Sequence, residues 1–228
     1  MMRGVFVAGT DTGVGKTCIS MGLMRALQAS GYTVTGMKPV ASGCRTAASG
    51  LVNEDALHLQ ACASLQVPYE DVNPYAFEPP VAPHLAAESA GVQIQVPRIE
   101  AAFRTLSALS DYVVVEGVGG WLVPVNAQQT MQDVALALGL PVVLVVAIRL
   151  GCLNHALLTV QAIRAAGLPL AGWVANRIDP ECACQDENVA ALCRRLPAPL
   201  LADQRYIPEA MAPEQQVGII DVAPLLPG

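Results

Sequence analysis

Residues 6–17, FVAGTDTGVGKT, decide the fold, because an apolar run leads into glycines and then into Gly15-Lys16-Thr17, where a helical pattern begins. Between a buried strand and a helix, such a loop can point successive backbone N–H groups at phosphates, and glycine permits close approach. Lys16 can then reach the β- and γ-phosphates, and the Thr17 hydroxyl can bind Mg²⁺. The stretch predicts a nucleotide site. The alternative is a glycine-rich turn that only starts a helix.

The spacing of this loop departs slightly from the usual phosphate-binding pattern. Gly9 lies one residue further from Gly15 than the usual first glycine, and Thr10 occupies the expected position. The departure lowers the specificity of the motif, but the strand before it and the helix after it still favour nucleotide binding.

Five short, continuous apolar runs predict strands buried on both faces, since half-exposed strands would alternate apolar and polar residues. The runs are Gly4–Ala8, Tyr32–Met37, Tyr112–Val115, Val142–Ala147 and Leu170–Ala175. Helical patterns lie between and after them at Lys16–Ser30, Asp55–Ser64, Pro97–Leu109, Met131–Leu138, Cys152–Ala166 and Asp186–Leu196. The alternation predicts an α/β fold with one doubly wound, mainly parallel sheet and helices on both faces, in a single domain over residues 1–228.

Two proline-rich segments interrupt this rhythm. Residues 66–96 contain five prolines, which oppose any long helix or central strand, so we expect a long ordered loop or lid there. The tail from Pro197 is again proline-rich, and we expect irregular structure that closes over the nucleotide side.

Composition restricts the class of partner. Hydrophobic residues make up 53% of the chain and charged residues 14%, so much of the chain must be buried against itself or against a second subunit. The formal net charge of −6 argues against nucleic acid and favours a small-molecule substrate.

The longest apolar run, Val134–Ile148, contains Gly139 and Pro141 and is too short to span a bilayer. No secretion signal is recognisable and seven scattered cysteines suit a reducing compartment, so we expect a cytoplasmic protein without a membrane segment.

Later strand-to-helix loops carry polar residues that should meet the phosphate loop, because parallel strands end at the same edge of a sheet. Lys38 and Ser42 follow the second strand, and we expect them within reach of the same phosphates. Glu116 ends an apolar strand, where P-loop enzymes hold a carboxylate near Mg²⁺. Asp55 opens a helix and, by itself, is typical of a helix cap.

Taken together, these motifs resemble those of the dethiobiotin synthetases, which catalyse the penultimate step of biotin synthesis. The resemblance rests on GTDTGVGKT (9–17), KPVASG (38–43), EDAL (54–57), VNPY (72–75), PH (83–84), VEGVGGWLVP (115–124), LGCLNHALLT (150–159) and AGWVAN (171–176). The match runs in order from about residue 4 to residue 201, and three of the motifs together, KPVASG, VEG-GG and LGC-NHALLT, are highly specific.

The resemblance implies a single-domain fold of the P-loop NTPase type and a homodimer with shared active sites. It also implies that ATP and Mg²⁺ are used to close a cyclic urea from 7,8-diaminopelargonate and CO₂, through a carbamate and a carbamic-phosphoric anhydride. The implied catalytic residues are Lys16, Lys38 and Thr12. The implied nucleotide contacts are Gly13, Val14, Gly15, Lys16, Thr17, Cys18 and Asn176, the last reading adenine. The implied substrate contacts are Ser42 and Gly119, with Gly151, Cys152, Leu153 and Asn154 at a helix start across the dimer interface. The implied Mg²⁺ environment is Thr17, Asp55 and Glu116.

Alternatives and departures remain beside this assignment. Some members have Glu where this chain has Gly13, and the tail lacks a proline expected at 205. A strand-end turn for Asn176 and an ordinary helix cap for Asn154 are the plainer interpretations. A corrin-type ATP-dependent amidoligase usually carries a glutaminase domain, which these 228 residues do not accommodate. A regulatory or partition ATPase has a second lysine early in the loop, where this chain has Asp11.

Overall fold

A computed structural model describes residues 4–48, 50–206 and 220–226. Its strands are β1 (Gly4–Gly9), β2 (Val34–Met37), β3 (Val40–Ala41), β4 (Arg45–Ala47), β5 (Gly50–Val52), β6 (Tyr75–Ala76), β7 (Tyr112–Glu116), β8 (Val142–Ala147), β9 (Leu170–Asn176) and β10 (Leu200–Gln204). Its helices are α1 (Lys16–Ala29), α2 (Glu54–Cys62), α3 (Tyr69–Val72), α4 (Pro83–Ser89), α5 (Val96–Leu109), α6 (Met131–Leu138), α7 (Cys152–Ala165) and α8 (Gln185–Cys193). A short 3₁₀ turn covers Ala223–Leu225.

The central sheet has six strands in the order β10-β9-β8-β1-β7-β2, and every neighbouring pair is parallel. From β1 the later strands are added on both sides, so the loops after β1, β7 and β8 meet at one edge of the sheet. This arrangement confirms the predicted doubly wound α/β fold and puts the phosphate loop at the point where the strand order reverses. No helix within the described part of the chain is long and apolar enough to cross a membrane.

Helices cover both faces of the sheet, which explains why its strands are continuously apolar. In β1, Phe6 and Ala8 belong to one buried cluster, while Val5 and Val7 belong to the cluster on the opposite face. Both sets of side chains are therefore removed from water, and no alternation of apolar and polar residues survives in the sequence.

The expectation of an irregular tail is wrong for Leu200–Gln204, which forms the edge strand β10 parallel to β9. Pro199 precedes the strand and interacts through its carbonyl oxygen, which accepts a hydrogen bond from the Trp173 N–H, so the missing proline N–H costs nothing. Arg177 holds the strand in place through two hydrogen bonds to Asp203. Residues 207–219, on which part of that expectation falls, lie outside the described residues.

Residues 66–96 contain neither a long helix nor a strand of the central sheet, as the prolines predict. They are more structured than a loop, however, because α3, β6 and α4 lie within them, and β6 pairs in parallel with β3. Pro83 occupies the start of α4, where a helix tolerates proline.

Candidate active site

The loop from Gly9 to Thr17 joins β1 to α1, and two of its glycines are required by contacts. Gly15 has φ 86°, and a Cβ added there would collide with Asn176 Nδ2. A Cβ on Gly9 would lie 2.7 Å from Val14 Cγ2 and 3.0 Å from Lys16 Nζ. Gly9 thus allows the close approach that the usual first glycine provides, which explains how the loop accommodates Thr10.

Lys16, the first residue of α1, directs its amine back into this loop. Its Nζ donates hydrogen bonds to the backbone oxygens of Gly119 at 2.7 Å and Asp11 at 3.0 Å. Only 6% of the residue is exposed, and burial, together with the charge of Lys38, lowers the pKa of Lys16 from 10.5 to about 8. These hydrogen bonds go to neutral carbonyls and not to a carboxylate, so the positive charge remains available to an anionic ligand.

Lys38 lies between two carboxylates that come from different elements. Its Nζ is 2.5 Å from Glu116 Oε1, at the end of β7, and 2.9 Å from Asp55 Oδ2, in the first turn of α2. Burial alone would lower the pKa of Lys38, but the two carboxylates outweigh burial and raise it above its ordinary value. Burial would likewise raise the pKa of Asp55, but Lys38 lowers it below its ordinary value.

The three predicted Mg²⁺ ligands are brought together at this point. Thr17 Oγ1 donates a hydrogen bond to Glu116 Oε1 at 3.0 Å, and Asp55 lies on the other side of Lys38. Glu116 is fully buried, and its Oε2 has no hydrogen-bond partner. A hydroxyl and two carboxylates are hard oxygen ligands of the kind that Mg²⁺ prefers. The described residues contain no cluster of three or more His, Cys, Asp or Glu that could hold a metal.

The start of α2 explains why Asp55 faces Lys38. The helix begins at Glu54, one residue earlier than predicted, and Asn53 is its N-cap, with Oδ1 accepting a hydrogen bond from the Ala56 N–H at 3.3 Å. The plainer interpretation of Asp55 as the cap is therefore wrong. Because Asn53 caps the helix, the Asp55 carboxylate is available for Lys38.

A cavity of about 470 Å³ lies beside the phosphate loop. The predicted site residues that line it are Thr12, Gly13, Gly15, Lys16, Thr17, Cys18, Lys38, Ser42, Asp55, Glu116 and Gly119. Sequence reasoning missed Met21, Asn53 and His58, which line it too. Met21 and His58 lie one helical turn beyond Thr17 and Asp55, so the helical period was the signal that could have found them.

Asn176 contacts the phosphate loop at Val14. Asn176 ends β9, is 7% exposed and donates a hydrogen bond from Nδ2 to the Val14 carbonyl at 2.8 Å. This contact fixes the loop against the sheet. The adenine-reading role of Asn176 stays a prediction.

The helix start predicted to bind substrate does not line the 470 Å³ cavity of its own chain. Gly151, with φ 94°, is the N-cap of α7, and no side chain caps the helix. Asn154 is exposed in the first turn, so the plainer interpretation of this residue as the cap is wrong. Cys152 is buried and Leu153 half-buried, and the substrate role of all four residues stays a prediction.

One ion pair near the site had no signal in the sequence. Asp11 Oδ2 lies 2.7 Å from Arg149 Nη2, which joins the phosphate loop to the segment before α7 across 138 positions of the chain. Asp11 Oδ1 also accepts a hydrogen bond from the Thr12 N–H at 2.7 Å. The two loops are adjacent because β1 and β8 are neighbours in the sheet.

Two solved structures share this fold. A ParA family ATPase from Chlorobium tepidum superimposes with a TM-score of 0.55 at 15% identity, covering 98% of this chain and 94% of that chain. The cell division protein FtsY from Thermotoga maritima superimposes with a TM-score of 0.53 at 16% identity, covering 100% of this chain and 69% of that chain. At these identities the likeness establishes the fold alone.

Sequence comparison is more specific. A model of the AAA domain family matches residues 3–214. The ATP-dependent dethiobiotin synthetase of Pseudomonas paraeruginosa is 50% identical over 98% of both chains. The protein of that name from Nitrosospira multiformis is 53% identical over 90% of this chain and 89% of its own. The chain has the P-loop fold, brings Lys16 and Lys38 into one cavity and is 50–53% identical to these relatives. It therefore belongs to the ATP-dependent dethiobiotin synthetase family.

Proposed function

We propose that the protein closes the cyclic urea of dethiobiotin from 7,8-diaminopelargonate and CO₂, coupled to cleavage of ATP into ADP and phosphate. The observation that carries this proposal is the meeting of Lys16 and Lys38, the two lysines of the whole chain, in one cavity with Thr17 and two carboxylates. The similarity to ATP-dependent dethiobiotin synthetases supports the choice of substrate. We also propose that the enzyme works in the cytoplasm.

The chemistry needs positioning and charge more than covalent participation. One amine of the substrate adds to CO₂ to give a carbamate, and a carbamate oxygen attacks the γ-phosphorus while ADP leaves. The second amine then attacks the activated carbonyl carbon, and phosphate leaves with the transferred oxygen as the ring closes. No protein nucleophile is required, so the cysteines need no catalytic role.

The residues of the cavity match these tasks. Lys16 releases its two carbonyl partners and binds the β- and γ-phosphates, while Lys38 lies between the carbamate and the γ-phosphate. Ser42, Thr12 and Gly119 line the same cavity and contact the carbamate side of the substrate.

The nucleotide and metal contacts follow from the same geometry. Gly13, Val14, Gly15 and Cys18 present backbone N–H groups to the phosphates, and Asn176 reads the adenine. Thr17, Asp55 and Glu116 would hold Mg²⁺, and the Glu116 Oε2 atom, which has no hydrogen-bond partner, supports this assignment. A bound Mg²⁺ would neutralise the negative charge of the phosphates.

Exposed leucines near the phosphate loop support a homodimer with shared active sites. Leu150 is 96% exposed just before α7, and Leu122 and Leu158 are 58% and 56% exposed. The latter two line a groove of about 400 Å³ that also includes Thr12. An apolar groove next to the phosphate loop suits the α7 start of a second subunit, whose backbone N–H groups would grip the substrate carboxylate.

The proposal is tested with ATP, Mg²⁺, ¹³C-bicarbonate and diaminopelargonate. We expect dethiobiotin that is one mass unit heavier than the product made from ordinary bicarbonate, because the urea carbonyl derives from CO₂. A partition ATPase would instead hydrolyse ATP without diaminopelargonate, and a corrin-type amidoligase, which needs a nitrogen donor and a corrin, would form no labelled product in this mixture. Either of these results, without labelled dethiobiotin, would contradict the proposal.

A further inference from the structure

The segment of α3 and β6 packs directly against Lys38, although it contributes no residue to the cavity lining. The Lys38 N–H donates a hydrogen bond to the Val72 carbonyl at 2.8 Å. The Lys38 carbonyl accepts one from Asn73 Nδ2 at 2.7 Å. Both backbone polar groups of this lysine are therefore held by residues 72–73, and the pairing of β3 with β6 continues the contact beyond it.

Asn73 is buried, at 4% exposure, and its side-chain amide forms three hydrogen bonds. Its Nδ2 donates a second hydrogen bond to the Tyr75 carbonyl at 3.1 Å, and its Oδ1 accepts one from the Tyr69 hydroxyl at 3.0 Å. A buried amide with three partners has a single orientation, because turning it would leave donors and acceptors unpaired.

Tyr69 extends this network to α2, the helix that carries Asp55. Its hydroxyl accepts a hydrogen bond from the Asn53 N–H at 2.8 Å, and Asn53 is the cap of α2. Two residues further on, Asp55 forms the ion pair with Lys38 at 2.9 Å. One hydroxyl therefore joins the start of α2 to the residue that holds the Lys38 backbone.

We propose that Tyr69 and Asn73 are positioning residues that set the geometry of the Lys38–Asp55 pair. Neither touches the cavity, so both act through the two elements that carry the charged groups. A loosened pair would leave Lys38 free to move relative to the transferred phosphoryl group, and a displacement of about 1 Å can cost on the order of 100-fold in rate. The inference deepens the proposed function, on which its kinetic part rests.

The test compares Tyr69→Phe with Tyr75→Phe, a matched control. Both changes remove one hydroxyl from a tyrosine in the same segment, but the Tyr75 hydroxyl interacts with the backbone of Gln95 and not with the network at Lys38. We expect Tyr69→Phe to lower kcat on the order of ten-fold or more, with the KM for ATP changed less than about two-fold. Tyr75→Phe should leave both constants near those of the unchanged protein.

A second readout does not depend on activity. Because the sequence contains two lysines, ¹³C-lysine labelling gives two side-chain NMR signals, and Lys16→Met assigns them. Tyr69→Phe should shift or broaden the Lys38 signal and leave the Lys16 signal in place, while Tyr75→Phe should leave both. Equal effects of the two variants on Lys38, or no effect of Tyr69→Phe, would overturn the inference. Absence of dethiobiotin from the unchanged protein would overturn the proposed function and leave the NMR comparison decisive for positioning.

Discussion

At the scale of single residues, Lys16 is a buried ammonium whose hydrogen-bond partners are neutral carbonyls. Its pKa is about 8 in the folded protein and 10.5 as its ordinary value, so between these pH values the unfolded chain binds more protons. The free energy of unfolding should therefore rise with pH in this window, by up to about 3 kcal/mol from this residue. At pH 7 the whole destabilising effect of the charge is present.

Lys16→Met should remove that rise. Urea unfolding at several pH values from about 7.5 to 10.5 gives the free energy of unfolding of the ligand-free protein and of the variant. The two slopes of this free energy against pH are then compared. The variant should also lose turnover, since the phosphate contact is gone, by on the order of 100-fold or more. If the free energy of unfolding changes with pH equally in the variant and the unchanged protein, the lowered pKa of Lys16 is refuted. If the variant turns over like the unchanged protein, the phosphate contact is refuted.

The proposed role of Glu116 as a Mg²⁺ ligand can be tested by substitution. Glu116→Gln should raise the Mg²⁺ concentration needed for half-maximal activity, because a neutral amide is a weaker ligand for a hard cation than a carboxylate. Glu54→Gln is a suitable control, since Glu54 lies next to Asp55 but is exposed and paired with Arg45. A titration of activity with Mg²⁺ in which both variants behave alike would count against the metal role.

Single residues differ in how far their place could be read from the sequence. Lys16 and Thr17 follow from a local pattern, because the loop and the helix start are contiguous. The salt bridge of Asp11 with Arg149 does not, because it depends on β1 and β8 becoming neighbours. The capping role of Asn53 was missed for a smaller reason: Asp55 is an equally good capping residue, and a shift of two positions decides which side chain faces Lys38.

At the scale of elements, the strands of the sheet centre were predictable because burial on both faces leaves a continuous apolar run. β10 was missed because an edge strand buries fewer apolar side chains than a central one. Its sequence, LLADQ, contains two polar residues and follows Pro197 and Pro199. Its place is stabilised by Arg177, which binds Asp203 on the strand and Asp186 in α8.

Arg177→Ala should therefore lower the free energy of unfolding by about 1–2 kcal/mol, since it removes two charge-assisted hydrogen bonds to Asp203 in β10 and the ion pair with Asp186 in α8. Arg104→Ala is the control, because Arg104 forms one exposed pair with Glu100 at 4.0 Å. Its loss should cost less than about 0.5 kcal/mol. Denaturant unfolding distinguishes the two, and equal losses would show that Arg177 is no more than a surface charge.

At the scale of the whole molecule, the proposed shared site makes a prediction about mixed dimers. Asn154→Asp adds a negative charge beside the proposed substrate carboxylate, and Lys16→Ala removes a phosphate contact in the other half of the site. In a heterodimer of the two inactive variants, one site collects both changes and the other collects neither. We expect roughly half of the unchanged activity per heterodimer after subunit exchange. Verified heterodimers without activity would show that the α7 start serves its own subunit.

The central claim is that ATP cleavage at the Lys16–Lys38 site is coupled to ring closure. The most direct test measures ADP and dethiobiotin in the same reaction, with and without diaminopelargonate. We predict about one ADP per dethiobiotin when diaminopelargonate is present, and release of ADP near background when it is left out. ADP release that is unchanged by diaminopelargonate, or that proceeds without dethiobiotin, would contradict the account.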